Sequence, residues 1–213
     1  MEDNKTTKDT GRKPVSIAID GPSGAGKGTL IQAVLKKRPE AMVSVSATTR
    51  APRPGEKEGV HYFFVSKEKF EQMIQEHAFL EYACVFGTTY YGTPRAFVEQ
   101  KLAEGNDVIL DIDVQGAMNI KQATPEAVLV FILPPSYRVL RHRLTNRKTE
   151  SDEQIERRLQ TAKNEIKYIN HYQYLLINDT VADASENLDH ILQASHLYAT
   201  NERKDALLAH WEE

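Results

Sequence analysis

Alternating apolar side chains near the start of the chain predict a buried strand. Val15, Ile17 and Ile19 are two positions apart, which is the spacing of side chains on one face of a strand. A glycine-rich stretch at residues 21–28 interrupts this alternation, and apolar residues then recur at helical spacing from Leu30. The pattern therefore predicts a strand, a glycine-rich turn and a helix in succession.

Apolar segments and helical periods continue to alternate along the chain. Near-continuous apolar runs at residues 108–114 and 127–133 are typical of strands that are buried on both faces. Shorter patterns predict strands at residues 42–46, 61–65, 79–86 and 174–177, and helices that begin at Ser66 and span residues 94–104, 136–143 and 151–168. This alternation predicts an α/β fold, in which helices cover both faces of a parallel sheet and a ligand binds at the carboxyl ends of its strands.

The remaining apolar positions lead to two further predictions. Residues 183–211 have helical periodicity, and the predicted buried stripe consists of Leu188, Ile191, Leu192 and Leu197. Cys84 lies between Ala83 and Val85, so we expect it to be a small buried residue. Because it is the only cysteine, an internal disulfide is excluded, which favours a reducing cytoplasmic location.

Length and charge limit the classes of protein. A chain of 213 residues, 40% of them hydrophobic, fits one domain at residues 15–213, with a small α+β insert at about 46–93 and a helical lid at about 138–160. Residues 1–14 are polar, and we expect them to form a disordered tail. The net charge of −3 argues against a nucleic-acid polymer as partner, and the lack of a long apolar run argues against a membrane. The oligomeric state is left open.

The turn at residues 21–27 has the G-x-x-x-x-G-K spacing of a phosphate-binding P-loop. Its amide N–H groups and the following helix N-terminus attract an anion, and Lys27 adds a charge for the β- and γ-phosphates. An incidental glycine-rich turn is the alternative. The predicted phosphate site consists of Gly21, Pro22, Ser23, Gly24, Ala25, Gly26, Lys27, Gly28 and Thr29. Gly28 stands where a P-loop usually has the Ser or Thr hydroxyl that contacts Mg²⁺, and Thr29 follows it.

Asp111 and Asp113 end an apolar strand. A carboxylate there is costly unless it meets a metal ion, an arginine or a ligand N–H group. In a P-loop protein this is the expected place for an acid that helps to hold Mg²⁺ or a second substrate, and a structural salt bridge is the alternative. Residues 113–116 also match the D-x-x-G of regulatory GTPases, but the chain has no N-K-x-D motif, which argues against that class.

Basic residues are concentrated between residues 138 and 158. Arg143 and Arg147 are four positions apart on one predicted helix face, and Arg158 follows the start of the next helix. Such a cluster could be a nucleic-acid stripe, a solvated helix face or a clamp on phosphate. We interpret it as a hinged lid whose arginines stabilise the charge of a transferring phosphoryl group.

The insert carries candidates for a second ligand site. Arg50 and Arg53 could bind one phosphate, and the hydroxyl groups of Tyr62 and Tyr91 could donate hydrogen bonds to it. Glu81 lies in an apolar strand and is either a paired core acid or a ligand contact. If it contacts a base, its carboxylate can accept from the N1–H and N2–H₂ groups of guanine but would face the unprotonated N1 of adenine. Guanine is favoured on that ground.

Together these segments resemble the guanylate kinase family, whose members move phosphate from ATP to GMP. The resemblance covers roughly residues 15–200, and its motifs lie at residues 21–29, 43–55, 61–65, 79–81, 90–93, 110–116, 131–136, 143–144, 158–159 and 178–179. It implies a P-loop NTPase-type sheet and Mg²⁺ bound with ATP, with Thr29 and Asp111 as candidate neighbours of the ion.

The resemblance also implies roles for individual residues. The residues that would read the guanine are Ser46, Glu81, Thr93 and Asp113. Those that would hold the GMP phosphate are Arg50, Arg53, Tyr62 and Tyr91, with Asp111 close to GMP. The implied catalytic residues are Lys27, Arg143, Arg147 and Arg158.

Two other functions remain open at this point. Guanylate-kinase-like modules of scaffold proteins bind peptides without catalysis, and kinases of other nucleoside monophosphates also contain a P-loop. Lys27 and the lid arginines favour an enzyme over a peptide-binding module, and Glu81 favours GMP over another monophosphate. The sequence therefore predicts an ATP-dependent GMP kinase whose partners are small molecules.

Overall fold

Five parallel strands form the central sheet of the computed structural model, which describes residues 13–85, 87–146 and 151–211. Along these residues the strands are β1 (Ser16–Asp20), β2 (Ala41–Val43), β3 (Ala47–Thr48), β4 (Phe63–Phe64), β5 (Phe79–Val85), β6 (Thr89–Pro94), β7 (Asp107–Asp111), β8 (Val128–Leu133) and β9 (Tyr174–Ile177). The central sheet has the order β2-β7-β1-β8-β9, and the second sheet has the order β4-β3-β6-β5. The predicted α/β fold of the P-loop NTPase type is confirmed.

Helices connect these strands and cover the central sheet. In the described part of the chain they are α1 (Lys27–Lys37), α2 (Lys67–Gln75), α3 (Arg95–Ala103), α4 (Val114–Ala123), α5 (Tyr137–Thr145), α6 (Asp152–Glu165), α7 (Val181–Ser195) and α8 (Asn201–Trp211). A 3₁₀ helix (Ile166–His171) follows α6 directly. None of the helices in the described ranges is long and apolar enough to cross a membrane.

The apolar strands of the central sheet are buried on both faces. Ile17 and Ile19 of β1 pack with residues of α1 and α7, whereas Ala18 packs with residues of α3 and α4. Smaller cores lie within the pair α5 and α6 and within the second sheet beneath α2. Burial on two faces explains why these strands are nearly continuous in apolar residues.

The predicted helix starts at serine residues are confirmed. The side chains of Ser66 and Ser136 accept hydrogen bonds from the backbone N–H groups three positions later. Ser151 and Gln154 form a reciprocal capping box at the start of α6. Each cap satisfies a backbone donor that has no partner inside its helix.

Several predicted boundaries are wrong. The strand expected at residues 108–114 ends at Asp111, because Asp113 accepts from the backbone N–H of Gly116 at 2.8 Å and begins α4, a helix that we did not predict. The helix expected at residues 151–168 ends at Glu165 and continues as a 3₁₀ helix. The single helix expected at residues 183–211 is two helices.

Two predicted burial states are also wrong. Leu197 is 71% exposed, because α7 ends at Ser195 and the helical stripe does not continue to this position. Cys84 is exposed, because β5 is an edge strand in which Ala83 faces the interior and the next side chain faces outward. Most of the predicted disordered tail, residues 1–12, lies outside the described residues.

Asp107 joins the start of the central sheet to the end of α7. It is fully buried, and its Oδ1 accepts from the backbone N–H of Val15 at 3.0 Å. Its Oδ2 lies 3.1 Å from Nε2 of His196. We predict that Asp107→Ala lowers the free energy of unfolding by about 3 kcal/mol, because it leaves buried donors without their acceptor. Urea denaturation measures this loss.

A matched control is Glu99→Ala, which removes an exposed carboxylate 3.8 Å from Arg95. This change should alter the free energy of unfolding by no more than about 0.5 kcal/mol. Equal losses in the two variants would contradict the structural role of Asp107.

Candidate active site

The P-loop joins β1 to α1 and packs closely against β8 and the residue after β9. A Cβ on Gly21 would lie 2.1 Å from the carbonyl oxygen of Ile132, and one on Gly26 would lie 2.3 Å from Nδ2 of Asn178. Both glycines have positive φ angles, 148° and 95°. Asn178 Nδ2 donates to the carbonyl oxygen of Ala25 at 2.7 Å. Glycine is therefore required where the loop backbone meets the ends of neighbouring strands.

Lys27 is the first residue of α1 and lies across the P-loop. Its Nζ donates to the carbonyl oxygen of Gly21 at 2.5 Å, so that its ammonium group bridges the two ends of the loop. The loop and the N-terminus of α1 place backbone N–H groups and a positive charge together, which is a suitable environment for phosphate.

Two of the predicted lid arginines contact the P-loop. Arg143 of α5 donates to the carbonyl oxygen of Asn178 at 2.8 Å and to that of Ala25 at 3.3 Å. Arg158 of α6 donates to the hydroxyl group of Ser23. Both contacts cross more than a hundred positions of sequence and bring cationic groups to the P-loop. Arg147 lies outside the described residues.

A cavity of about 320 Å³ opens between the P-loop and the second sheet. Its walls come from α1, the second sheet and the carboxyl end of β7, which is where a doubly wound sheet binds its ligand. The predicted site residues that line it are Lys27, Ser46, Tyr62, Glu81, Tyr91, Asp111 and Asp113. Residues that far apart in sequence therefore share one cleft.

Arg50 forms a cationic subsite beside this cavity. Its guanidinium group binds both carboxylate oxygens of Glu56, at 2.6 and 2.7 Å, and its Nε donates to the Tyr91 hydroxyl at 3.1 Å. It also lies over the ring of Tyr62, 4.8 Å from the ring centre. The Arg50 hydrogen bond holds the pKa of Glu56 at about 2. Tyr62 and Tyr91 thus both contact the guanidinium group of Arg50, a group suited to binding carboxylate or phosphate.

Arg53 is not brought into this cluster. Its backbone N–H donates to Glu56 at 2.8 Å, but its side chain is exposed and is not among the residues that line the cavity. In this structure Glu56 occupies donors of Arg50, and the pairing of Arg50 and Arg53 on one phosphate stays a prediction.

Glu81 is a buried acid at the wall of the cavity. It is 7% exposed, and Thr93 Oγ1 donates to its Oε1 at 2.6 Å. Burial raises the pKa of Glu81 to about 7, and the nearby charge of Asp113 acts in the same direction. A carboxyl group held in this way can present acceptor oxygens to a pair of N–H donors on a ligand.

Comparison with known proteins agrees with this arrangement. The guanylate kinase family model matches residues 12–195. A guanylate kinase of Caldanaerobacter subterraneus is 51% identical over 178 residues, which cover 84% of this chain and 86% of the relative. One from Clostridium perfringens strain 13 is 48% identical over 191 residues, which cover 90% and 87%. The chain belongs to the guanylate kinase family.

A solved structure leads to the same assignment. The crystal structure of guanylate kinase from Anaplasma phagocytophilum superposes with a TM-score of 0.70 at 31% identity, and the match covers 90% of each chain. Family membership confirms that the chain is a kinase, and it argues against a peptide-binding module that lacks catalysis.

The two candidate neighbours of Mg²⁺ lie in different places in this guanylate kinase. Asp111 lines the cavity together with Lys27, whereas Thr29 is exposed and lines a separate surface depression with Gln32 and Lys36. Within the described ranges, no group of three or more His, Cys, Asp and Glu side chains could hold a metal. Mg²⁺ commonly uses only one or two carboxylates beside substrate phosphates, and Asp111 fits that requirement.

Sequence reasoning missed Asp20 and Tyr172. Asp20 is the last residue of β1, immediately before the P-loop, and Tyr172 follows the 3₁₀ helix. Asp20 is 1% exposed and accepts a hydrogen bond from the Tyr172 hydroxyl. A signal for Asp20 was present, because it ends an apolar strand just as Asp111 does. No sequence signal marked Tyr172, since the bond spans 152 positions.

Gly116 of α4 allows Glu81 to pack against the helix. A Cβ at this position would lie 2.7 Å from Glu81 Oε2 and 3.2 Å from the Cβ of Ile112. We predict that Gly116→Ala displaces the carboxyl group and raises KM for GMP about tenfold, with KM for ATP changed by less than about twofold. Steady-state kinetics with each substrate varied in turn measures both values.

Gln122→Ala is the matched control, because this residue is exposed on the same helix. Its KM values should equal those of the wild type. If Gly116→Ala also left KM for GMP unchanged, Glu81 would not depend on this close contact.

Proposed function

We propose that this guanylate kinase transfers the γ-phosphoryl group of ATP to GMP across the cleft between the P-loop and the second sheet. One observation supports the proposal above all: a single cavity has Lys27 at one wall and Glu81, Tyr62 and Tyr91 at another. A phosphate donor and a phosphate acceptor can therefore meet in one space.

The P-loop is the proposed site for the triphosphate of ATP. Residues 21–29 would surround the β- and γ-phosphates with backbone N–H groups, and Lys27, whose ammonium group has three donors, would bind phosphate oxygens in addition to the Gly21 carbonyl. Arg143 and Arg158 already contact the loop and would neutralise charge that develops on the transferring group. We assign the same role to Arg147 on the strength of the family resemblance.

The second sheet is the proposed site for GMP. The phosphate would bind Arg50 together with the hydroxyl groups of Tyr62 and Tyr91, and it would take guanidinium donors that Glu56 occupies here. We retain Arg53 as a further phosphate contact, which requires its side chain to turn toward the cavity. The proposed guanine contacts are Ser46, Glu81, Thr93 and Asp113.

Mg²⁺ would bind together with ATP. Asp111 is the residue proposed to hold it, because its carboxylate lines the cavity that contains Lys27. When bound, the ion supplies positive charge to the phosphates. The protein residues then align the GMP phosphate with the γ-phosphoryl group and exclude water, so that GMP and not water is the acceptor.

The domain limits are also part of the proposal. One domain at residues 15–213 would contain a GMP-binding insert at about 46–93 and a lid at about 138–160. The second sheet and the pair α5 and α6 each have an apolar core of their own, separate from that of the central sheet. These separate cores support the division into an insert and a lid, because a part with its own core can move as a rigid body. We propose ATP and GMP as the partners and the cytoplasm as the location.

An ADP-release assay with ATP, Mg²⁺ and each common nucleoside monophosphate tests the activity. We expect kcat/KM for GMP to exceed that for AMP by about 10⁴, because a site with paired acceptors leaves buried groups unsatisfied by the wrong base. Lys27→Ala should lower kcat at least about 100-fold. Lys36→Ala, a change on the exposed face of α1, serves as the control. Equal use of GMP and AMP would refute the proposed substrate.

The raised pKa of Glu81, about 7, leads to a prediction of pH dependence. The Glu81 carboxyl group can accept from both N–H donors of guanine only when it is ionised, so kcat/KM for GMP should fall as the pH drops below about 7. Stability should change in the opposite direction. The folded protein holds the proton of the Glu81 carboxyl group more tightly than the unfolded chain does. The stabilisation of the fold by this proton is therefore fully present below pH 4.5 and is lost as the pH rises to about 7.

Glu81→Gln separates these effects. At pH 8 the variant should be more stable than the wild type by about 1 kcal/mol or more, because no buried carboxylate has to ionise, and it should lose activity toward GMP. Thermal unfolding at several pH values measures the first effect. Glu71→Gln changes an exposed acid and is the control. A destabilised Glu81→Gln protein would show that the charged carboxylate stabilises the fold.

A further inference from the structure

A buried carboxyl group lies directly behind the P-loop. Asp20 is the last residue of β1 and is 1% exposed. Its Oδ2 accepts from the Tyr172 hydroxyl, and the next residue in the chain is Gly21, the first residue of the loop. The hydrogen bond offsets part of the cost of burying this acid.

These contacts continue to the catalytic lysine. Gly21 directly follows Asp20, and its carbonyl oxygen accepts from Lys27 Nζ at 2.5 Å. Residues 20 and 21 are thus held at two points, by the Tyr172 hydroxyl at the Asp20 carboxylate and by the Lys27 ammonium group at the Gly21 carbonyl. Only the backbone of these two residues separates the two contacts.

Tyr172 is held in place by packing. It is 8% exposed, and its ring lies 4.8 Å from the ring of Phe131 on β8. It follows the 3₁₀ helix that continues α6, the helix that carries Arg158. The hydroxyl group therefore links the segment of a phosphate-binding arginine to the start of the P-loop.

Several charged groups surround Asp20. Burial raises the pKa of Asp20, whereas the Tyr172 hydroxyl and the Lys27 ammonium lower it and the charge of Asp113 raises it. Glu165, at the end of α6, faces the same region. Burial and then the charge of Asp20 raise the pKa of Glu165 to about 7, and its Oε2 is buried without a hydrogen-bond partner among the described residues. Without the Tyr172 hydroxyl, this environment favours the neutral form of Asp20.

We propose that Tyr172 is a positioning residue for ATP: its hydroxyl fixes Asp20 at the end of β1, and Asp20 thereby fixes the position of Gly21, whose carbonyl binds Lys27, in the arrangement that receives the triphosphate. The inference rests on the proposed function and adds to it two residues that do not touch substrate. Except for Asp113 at the start of α4, the proposed guanine contacts lie on or next to the second sheet, so the main effect falls on ATP.

Tyr172→Phe tests the role because it keeps the ring and removes only the hydroxyl. We expect kcat/KM for ATP to fall about tenfold, which is the size of one hydrogen bond to a charged group, and KM for GMP to stay within about twofold. The acid limb of kcat/KM for ATP should move to higher pH, because an interaction that favours the charged form of Asp20 is lost. Tyr168→Phe, an exposed position on the 3₁₀ helix, is the matched control.

Asp20→Asn and the double variant test whether the two residues act together. Asp20→Asn should lower kcat/KM for ATP at least as much as Tyr172→Phe, and adding Tyr172→Phe to it should cause no further loss. Losses that multiply in the double variant would overturn the proposal. So would a Tyr172→Phe protein that unfolds at a lower temperature but keeps the ATP parameters and pH profile of Tyr168→Phe.

Calorimetric titration of ATP into each variant, without GMP, separates this inference from the proposed function. Weaker ATP binding in Tyr172→Phe than in Tyr168→Phe supports the positioning role, and equal binding contradicts it. Failure of the wild type to phosphorylate GMP would refute the proposed function instead. The two failures are therefore distinguishable.

Discussion

Close contact between the P-loop backbone and the ends of parallel strands is the constraint on which the site depends. The loop passes so near to Ile132 and Asn178 that no side chain fits at Gly21 or Gly26. The carbonyl groups of Gly21 and Ala25 accept hydrogen bonds from the side chains of Lys27, Arg143 and Asn178. A loop fixed in this way presents its N–H groups to an anion without having to be ordered first, which lowers the cost of binding.

Buried acids lie in the cavity and around the start of the P-loop. Asp20, Glu81 and Glu165 all have raised pKa values, and in each case burial is the largest cause. Such groups lower the stability of the fold above their pKa, and they persist where they serve binding or positioning. Glu81 faces the cavity, whereas Asp20 ends β1 and accepts a hydrogen bond from Tyr172. Burial therefore raises the pKa of acids both inside the cavity and at the start of the P-loop.

Local patterns predicted much of this fold and part of the site. Alternation and burial on two faces identified β1, β7 and β8, and serine caps located the starts of α2, α5 and α6, because these signals depend on neighbouring residues only. The P-loop was recognisable for the same reason. Helix α4 was missed because Asp113, read as a strand residue, is its N-cap. Cys84 and Leu197 were misplaced because their exposure depends on a sheet edge and on a helix end.

The sequence by itself determined the strand and helix types, the phosphate loop and the family resemblance, since each follows from residues close together in the chain. Only the tertiary structure decided which distant groups meet. Arg158 reaches Ser23 across 135 positions, and Tyr172 reaches Asp20 across 152. It also showed that Arg50 pairs with Glu56 while Arg53 stays at the surface. Such contacts depend on how the strands are ordered in the sheet, and no local pattern encodes that order.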